Sequence, residues 1–327
     1  MLITKAPFRV SYFGGGTDYP KWYLKNSGAT INTSINKYSY IVLNPQEKVN
    51  IKKFRIRYFY REEVNDIKSI KHPTIRNLFK YFNVKRLPQL DLIHFNDLPA
   101  QTGIGSSSAF TVGLIKAFLE LKNIKKKKNE IFKIASYIEQ KMNREHIGSQ
   151  DQICSTIGGF LFTKYSKDNK KIYKRYPLSN NTIKQIQRNS MLIYSNRKRF
   201  ASDIAADVIK NSISKKKYFK EIFDIALEAK KIIENKNFDN LLFGNLINES
   251  WNLKKKTSKQ INTPEASEII QFAKQNGALG GKILGAGGGG MILIYGEKNQ
   301  NDIISSKLKN YSTINFKFED QGVQRII

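Results

Sequence analysis

The sequence predicts an α+β protein built from two domains. Three observations carry that expectation. The chain has 327 residues, more than a single hydrophobic core usually accommodates. Its 40% apolar and 12% aromatic content is enough for packed cores. Strand-like and helix-like runs are mixed without the regular strand–helix–strand repeat of a doubly wound sheet.

In the first half, Ala29–Ile35 and Tyr38–Leu43 are rich in β-formers, and Ile51–Tyr60 alternates charged with apolar residues as a half-exposed strand does. A helix is predicted near Ile75–Tyr81 and a strand at Leu90–Phe95. A second helix is predicted over Glu130–His146, with Ile131, Ile134, Ala135, Ile138 and Met142 on one face. Past Gly158-Gly159 the chain turns polar, which places a domain connection there: residues 1–165 form the expected first domain and 166–327 the second. The second half offers a strand at Met191–Tyr194, helices around Ala201–Ile213, Lys220–Asn235 and Pro264–Asn276, and then a glycine-rich hairpin.

The most informative stretch is Pro99-Ala-Gln-Thr-Gly-Ile-Gly-Ser-Ser-Ser-Ala109. Gly103 and Gly105 can take backbone angles closed to other residues, so successive N–H groups can turn toward one anion. From Phe110 the apolar residues Leu114, Ala117, Phe118 and Leu121 recur at helical spacing. A helix N-terminus therefore faces the loop with unpaired N–H groups and the positive end of its dipole. The same residues also suit a plain Gly/Ser turn with a serine cap. No Gly-x4-Gly-Lys-Ser/Thr occurs, and the Gly-x-Gly-x-x-Gly at Gly285, Gly287 and Gly290 runs into Met-Ile-Leu-Ile-Tyr, a strand where a dinucleotide fold needs a helix.

Three further constellations stand out because acidic residues are few. A strand feeds Gly14-Gly15-Gly16-Thr17-Asp18, which leaves a carboxylate on exposed backbone, suited to sugar hydroxyls or to capping the next helix. Glu139 lies beside an apolar stripe, placing it along a domain seam where a carboxylate can bind magnesium; Asp151 follows in Gly148-Ser-Gln-Asp-Gln-Ile-Cys, where it can orient or deprotonate a hydroxyl. Taken alone, each fits a surface or capping role better. Lys282-Ile-Leu-Gly285-Ala-Gly287-Gly288-Gly289-Gly290 adds a second glycine loop, of the kind tolerated where backbone or ligand approaches closely. His72, His94, His146 and the single cysteine, Cys154, show no metal-ligand spacing and read as structural.

The formal net charge is +29. Such a surface attracts polyanions, but the lysine runs 125–128, 215–217 and 254–256 sit in polar connectors or beside helical patterns and read as solvated surface. A basic RNA-binding protein is the alternative from another class, yet no aromatic-and-basic RNA signature is present, so no nucleic-acid partner is expected. With one cysteine, no apolar run of membrane-spanning length and no pattern of a secretory leader, a cytoplasmic protein without membrane insertion is expected.

Taken together and in order, these segments resemble the GHMP small-molecule kinases, over nearly the whole chain. The resemblance implies an N-terminal domain like domain 2 of ribosomal protein S5, a C-terminal ferredoxin-like domain, and ATP with Mg2+ between them. It implies that Gly103, Ile104, Gly105, Ser106, Ser107 and Ser108 hold the ATP phosphates, that Ser107 and Glu139 bind the metal, and that Asp151 is catalytic. Lys5, Arg9, Gly15, Gly16, Thr17, Asp18, Lys21 and Arg144 become candidates for the substrate, with Arg9, Lys5, Lys21 and Arg144 reaching a distal phosphate. Lys282, Gly285, Gly287, Gly288 and Gly289 form the third motif. Within the family, Ala6-Pro-Phe-Arg9, Gly14 to Pro20, Gln150-Asp-Gln152 and Gly285 to Gly290 look most like D-glycero-D-manno-heptose 7-phosphate kinases. That likeness implies phosphorylation of the anomeric hydroxyl of a sugar phosphate, for nucleotide-activated heptose in surface polysaccharide. Fucose-type sugar kinases are the nearest alternative, and galactokinases differ at Gly15-Gly16. Ser149 stands where such kinases carry a lysine. The adenine pocket is expected between residues 45 and 95.

Overall fold

A computed structural model describes residues 1–47, 52–84, 88–197 and 201–327. The first half contains β1 (Leu2–Phe13), α1 (Pro20–Asn26), β2 (Gly28–Gln46), β3 (Phe54–Arg57), β4 (Arg61–Val64), α2 (Pro73–Tyr81), β5 (Gln89–Asn96), α3 (Ser106–Leu121), α4 (Lys128–Tyr137), α5 (Gln150–Ile157), β6 (Phe160–Tyr165) and β7 (Lys171–Tyr176). The second half contains α6 (Asn181–Arg188), β8 (Ser190–Tyr194), α7 (Ala201–Asn211), α8 (Lys216–Glu234), α9 (Asn240–Thr257), α10 (Pro264–Gln275), β9 (Gly280–Ile283), β10 (Met291–Tyr295), α11 (Lys298–Lys307), β11 (Ser312–Ile314) and β12 (Gln324–Arg325).

The first sheet runs β12-β1-β2-β5-β3-β4, with β6 paired to β2 and β7 to β6. The two strands expected at 29–43 are one 19-residue strand, β2. Its first part pairs with β6 and its last part with β5, while β1 follows it along the other edge through register shifts at Pro7/Phe8 and Ser11/Phe13. Of the strand expected over 51–60, only Phe54–Arg57 is β3; residue 51 lies outside the described residues. The second sheet, β11-β8-β10-β9, is antiparallel, and β9 and β10 are the two arms of the predicted glycine-rich hairpin.

The expected boundary at 165/166 falls inside the β6–β7 hairpin. The first sheet continues to Tyr176 and takes back the C-terminal tail, since Thr4 pairs with Arg325 and Lys5 with Gln324. The polar composition of 166–176 reflects an edge strand with one face in water, not a connector.

Helix α3 is buried on nearly every side, from Ser106 through Leu119 apart from Ser107 and Lys116. The Thr4 hydroxyl donates to the Gly113 carbonyl at 2.9 Å, fixing this helix on β1. Each large side chain buried completely in this layer, such as Phe8, Phe13 or Phe118, contributes about 1.5–3 kcal/mol. The halves are also tied together at polar points: Lys282 Nζ donates to Tyr12 O at 2.7 Å, and the Met291 N–H donates to Thr102 O at 2.8 Å.

Candidate active site

The glycine–serine stretch forms the turn into α3. Gly103 and Gly105 both have left-handed backbone, φ 83° and 77°, and Gly105 is the residue before the helix. A Cβ on Gly105 would sit 3.2 Å from Asp151 Oδ2 and 3.3 Å from Arg9 Cγ, so the loop touches the acid that the sequence singled out. The Ile104 carbonyl accepts the Arg9 N–H at 3.0 Å, anchoring the turn to β1. Ser106 and Ser108 are buried, whereas Ser107 is exposed on a cavity of about 900 Å3 lined by this loop, β1, α5, α8 and α9.

Asp151 sits in the first turn of α5, where the helix dipole favours a negative charge. Arg9 grips it with two parallel bonds, Nε to Oδ1 at 2.7 Å and Nη2 to Oδ2 at 2.8 Å, and its Nη1 donates to Gly103 O at 2.6 Å. Arg9, expected to reach a distal phosphate, is here engaged by Asp151 and the loop. Its side chain is 4% exposed, and Nε, Nη1 and Nη2 each donate to the acid or the loop.

Asp18 is buried and lines the same cavity. It accepts the Gly16 N–H at 3.0 Å and the Gln150 N–H at 3.3 Å. Burial first, and then the Asp151 charge, push its carboxyl above the usual range. Gly148 must be glycine here, because a Cβ would lie 1.7 Å from Asp18 Oδ2. Gly15 and Gly16 also line the cavity, as does Gln150, whose Oε1 accepts from Ser11 Oγ at 2.9 Å.

Other expected substrate residues lie elsewhere. Thr17 is buried, with its hydroxyl 2.7 Å from Gly14 O and 2.9 Å from Ala29 O, so it closes the turn and does not face substrate. Lys5 lies on β1 over the Tyr38 ring at 4.5 Å and does not line the cavity. Arg144 is exposed, also outside the lining. Lys21 lines a second, neighbouring cavity.

Glu139 departs from its expected place on a domain seam. Helix α4 ends at Tyr137, well short of His146, and the chain continues as a π-helical turn, Ile138–Met142, closed by the Asn143 N–H on Ile138 O at 2.8 Å. The extra residue per turn rotates Glu139 inward behind the phosphate loop. There it is wholly buried and accepts from Ser108 Oγ at 3.0 Å, Thr111 Oγ1 at 2.7 Å and Gln152 Nε2. Burial, reinforced by the Glu145 charge, pushes its carboxyl well above the ordinary value. The amide oxygen of Gln152, Oε1, is buried with no hydrogen-bond partner among the described residues. The exposed Ser107 hydroxyl, the Glu139 carboxylate and this orphaned amide oxygen are hard donors of the kind a magnesium ion takes.

Only Gly285 and Ala286 of the third motif line the cavity. Gly287 is packed on Ile261 and Gly289 on Arg197, the Gly288 N–H donates to Ile261 O at 2.6 Å, and Lys282 is buried beneath the Tyr12 carbonyl. Those residues position the loop and are not placed to touch a ligand.

Sequence reasoning missed several lining residues. Lys254, assigned above to solvated surface, is 8% exposed; its Nζ donates to Gly285 O and lies 4.0 Å from where a Gly15 Cβ would be. Helix α9, which carries it, was not anticipated, because buried residues surround it and blur the helical period. The opposite end of the cavity is aromatic: Tyr58, Phe59, His72, His94, Phe95 and Phe110 line it, from segments with no motif. His72 and His94 thus face the cavity as well as packing against Phe110 at 4.9 and 4.6 Å, and burial drives the His72 imidazole down to about 4, which leaves it neutral. His146 lines the other end. Cys154 is buried beside Ser34, its thiol pushed up to about 12, in keeping with a structural role.

Two family models match the chain: the GHMP kinases N terminal domain over residues 68–159 and the GHMP kinases C terminal domain over 220–312. A D-glycero-alpha-D-manno-heptose 7-phosphate kinase of Campylobacter jejuni is 29% identical, covering 99% of this chain and 98% of its own. A mevalonate kinase of Saccharolobus solfataricus is 25% identical over 90% of this chain and 89% of its own. Among solved structures, a D-glycero-D-manno-heptose 1-phosphate kinase from Bacteroides thetaiotaomicron shares the fold with a TM-score of 0.79 at 20% identity, covering 100% of this chain and 99% of its own. A putative sugar kinase from Campylobacter jejuni gives 0.75 at 26% identity, covering 99% and 97%. No helix among the described residues is long and apolar enough to cross a membrane. With both family domains in order and the phosphate loop, acid and third glycine loop gathered around one cavity, the chain belongs to the GHMP kinases and is an ATP-dependent kinase.

Proposed function

We propose that the protein transfers the γ-phosphoryl group of ATP, with Mg2+, to the anomeric hydroxyl of D-glycero-D-manno-heptose 7-phosphate, giving the 1,7-bisphosphate. The observation that supports the reading of the reaction is the Arg9–Asp151 pair set against Gly105, a fixed carboxylate beside the glycine turn that leads into α3. The heptose assignment is supported by the full-length likeness to the Campylobacter kinase together with the Gly14–Asp18 and Gln150–Gln152 segments.

The N–H groups of residues 103–108 cradle the nucleotide phosphates, with the base toward the aromatic end of the cavity. Asp18 accepts hydrogen bonds from the sugar and fixes its hydroxyl against Asp151. The hydroxyl oxygen forms a bond to the γ-phosphorus as the bond to the bridging oxygen of ADP breaks, and its proton passes to Asp151. Ser107 and Glu139, with Gln152 beside them, hold Mg2+, which neutralises charge on the phosphates when bound. The reaction belongs to a soluble cytoplasmic step of surface-polysaccharide synthesis, with residues 1–165 and 166–327 as working domains apart from the β7 and β12 exchange described above.

The deciding experiment is ATP consumption across heptose 7-phosphate, mannose 6-phosphate, free heptose, fucose and galactose, with the product phosphate located by NMR. Selective turnover of heptose 7-phosphate at C1 is the expected result. Preference for an unphosphorylated sugar or phosphorylation elsewhere overturns the substrate assignment.

A further inference from the structure

The sugar end of the main cavity abuts a second cavity of about 530 Å3. The chain passes from one to the other at three places: Tyr19 lines the first and Pro20 the second, Ala205 the first and Ala206 the second, and His146 lines both. The second cavity is built from both halves of the protein, with Lys21 and Lys25 on α1 and Lys210 on α7. No Asp or Glu lines it among the described residues, and none of these three lysines makes an ion pair there.

Lys21 and Lys25 are one helical turn apart, a spacing at which like charges repel. Lys210 from the facing helix adds a third positive charge. All three side chains are exposed, so in water their mutual repulsion is small, and three ammonium groups lining one cavity, with His146 shared with the main cavity, are suited to a phosphate dianion.

The main cavity gives this site a direction. The reacting end is fixed by Arg9, Asp151 and the phosphate loop, and Asp18 follows, one residue before Tyr19. A sugar phosphate whose C1 hydroxyl meets Asp151 carries its phosphate at the opposite end of the carbon chain, toward His146 and the lysines.

We propose that the Lys21, Lys25 and Lys210 cavity is the subsite for the distal phosphate of the sugar substrate, and that it selects a phosphorylated sugar over a free one. This inference rests on the substrate reading above. Of the four basic residues suggested by sequence for that phosphate, it retains Lys21 alone and adds Lys25 and Lys210.

The test is steady-state kinetics on the full chain with heptose 7-phosphate and free heptose. The triple variant K21Q/K25Q/K210Q is expected to raise KM for heptose 7-phosphate about 10-fold or more, with kcat and the KM for ATP within about two-fold. A second triple variant, K167Q/K236Q/K309Q, removes the same charge from exposed lysines elsewhere and is expected to leave KM unchanged. K210E alone provides a single-site arm, and the thermal midpoint of each variant checks the fold. If the wild type prefers heptose 7-phosphate while both triple variants behave alike, the subsite is wrong and the substrate reading stands. If the wild type turns over free heptose as well as heptose 7-phosphate, the substrate reading itself fails and the subsite with it.

Discussion

Arg9 binds Asp151 through two parallel N–H···O bonds of 2.7 and 2.8 Å, and its third nitrogen donates to the Gly103 carbonyl. One guanidinium therefore sets the acid and the phosphate loop in a common frame. A lysine can supply the charge but not this fork. R9K is expected to lower kcat about 10- to 100-fold and to raise the KM for ATP, because both partners lose their alignment. D151N is expected to lower kcat about 10²- to 10⁴-fold while nucleotide binding survives, since the loop N–H groups remain. Steady-state rates paired with equilibrium nucleotide titrations check both, and a D151N enzyme with wild-type turnover would remove Asp151 from the chemistry.

Gly105 occupies the tightest point of that frame. An alanine there meets two penalties: the left-handed backbone costs about 1–2 kcal/mol, and the new Cβ falls 3.2 Å from Asp151 Oδ2. G105A is expected to lose thermal stability, to bind ATP about tenfold more weakly and to turn over more slowly. Calorimetric titration and a melting curve measure the two effects, and a variant with unchanged nucleotide affinity would show that the loop does not touch the phosphates.

Glu139 gives a pH dependence whose sign follows from its burial. Its folded-state carboxyl is held above the ordinary value of 4.5. Its contribution to stability is therefore present below that value and is lost as pH rises through the folded value, because the folded state binds the proton more tightly. His72, driven down to about 4, acts in the opposite sense over the range up to 6.5, so Glu139 is read by difference. In nucleotide-free, metal-free protein, the melting temperature of E139Q is expected to gain on the wild type as pH rises from 5 to 8. With Mg2+ and ADP the order reverses, as the ionised carboxylate then has a cation. An E139Q protein with an unaltered magnesium titration would take Glu139 out of the metal site.

Much of this was legible in the sequence because it depends on local chemistry. Gly103, Gly105 and the serine run declare a turn into a helix, and Asp18 and Asp151 stand out beside glycines in a chain of few acids. Long-range pairing left no such local trace. Nothing near Arg9 indicates that its partner is 142 positions away, and the same residue type at the same place suits a free phosphate contact equally well. Thr17 and Lys5 sit within the right motif, yet strand alternation and turn closure send their side chains to other neighbours. Glu139 was displaced from its expected face by a single π-helical turn, which no apolar periodicity announces. The aromatic end of the cavity is assembled from the β3–β4 turn, the start of α2, β5 and α3, so it has no contiguous motif to find.

Lys254 shows how a run of identical charges conceals a functional position. In α9, Lys254 is buried, Lys255 is half-buried and Lys256 is exposed, so three consecutive lysines face three environments. The ammonium of Lys254 rests on Gly285 O and approaches Gly15, joining the third glycine loop to the first at the reacting end of the cavity. Burial drives the neighbouring Lys282 ammonium well below its ordinary value, with the Lys254 and Arg9 charges adding to the effect, so Lys282 is pushed toward its neutral form beside those two charges. If the acceptor oxygen and phosphoryl group meet beside it as proposed, the Lys254 charge would stabilise the negative charge they share without reorganising at the moment of transfer. K254M is expected to lower kcat about 100-fold with nucleotide affinity within about three-fold, and K254R to recover part of the loss. Single-turnover rates beside a nucleotide titration separate the two quantities. An equal fall in kcat and in thermal stability, with no recovery by arginine, would instead make Lys254 a strut between the glycine loops.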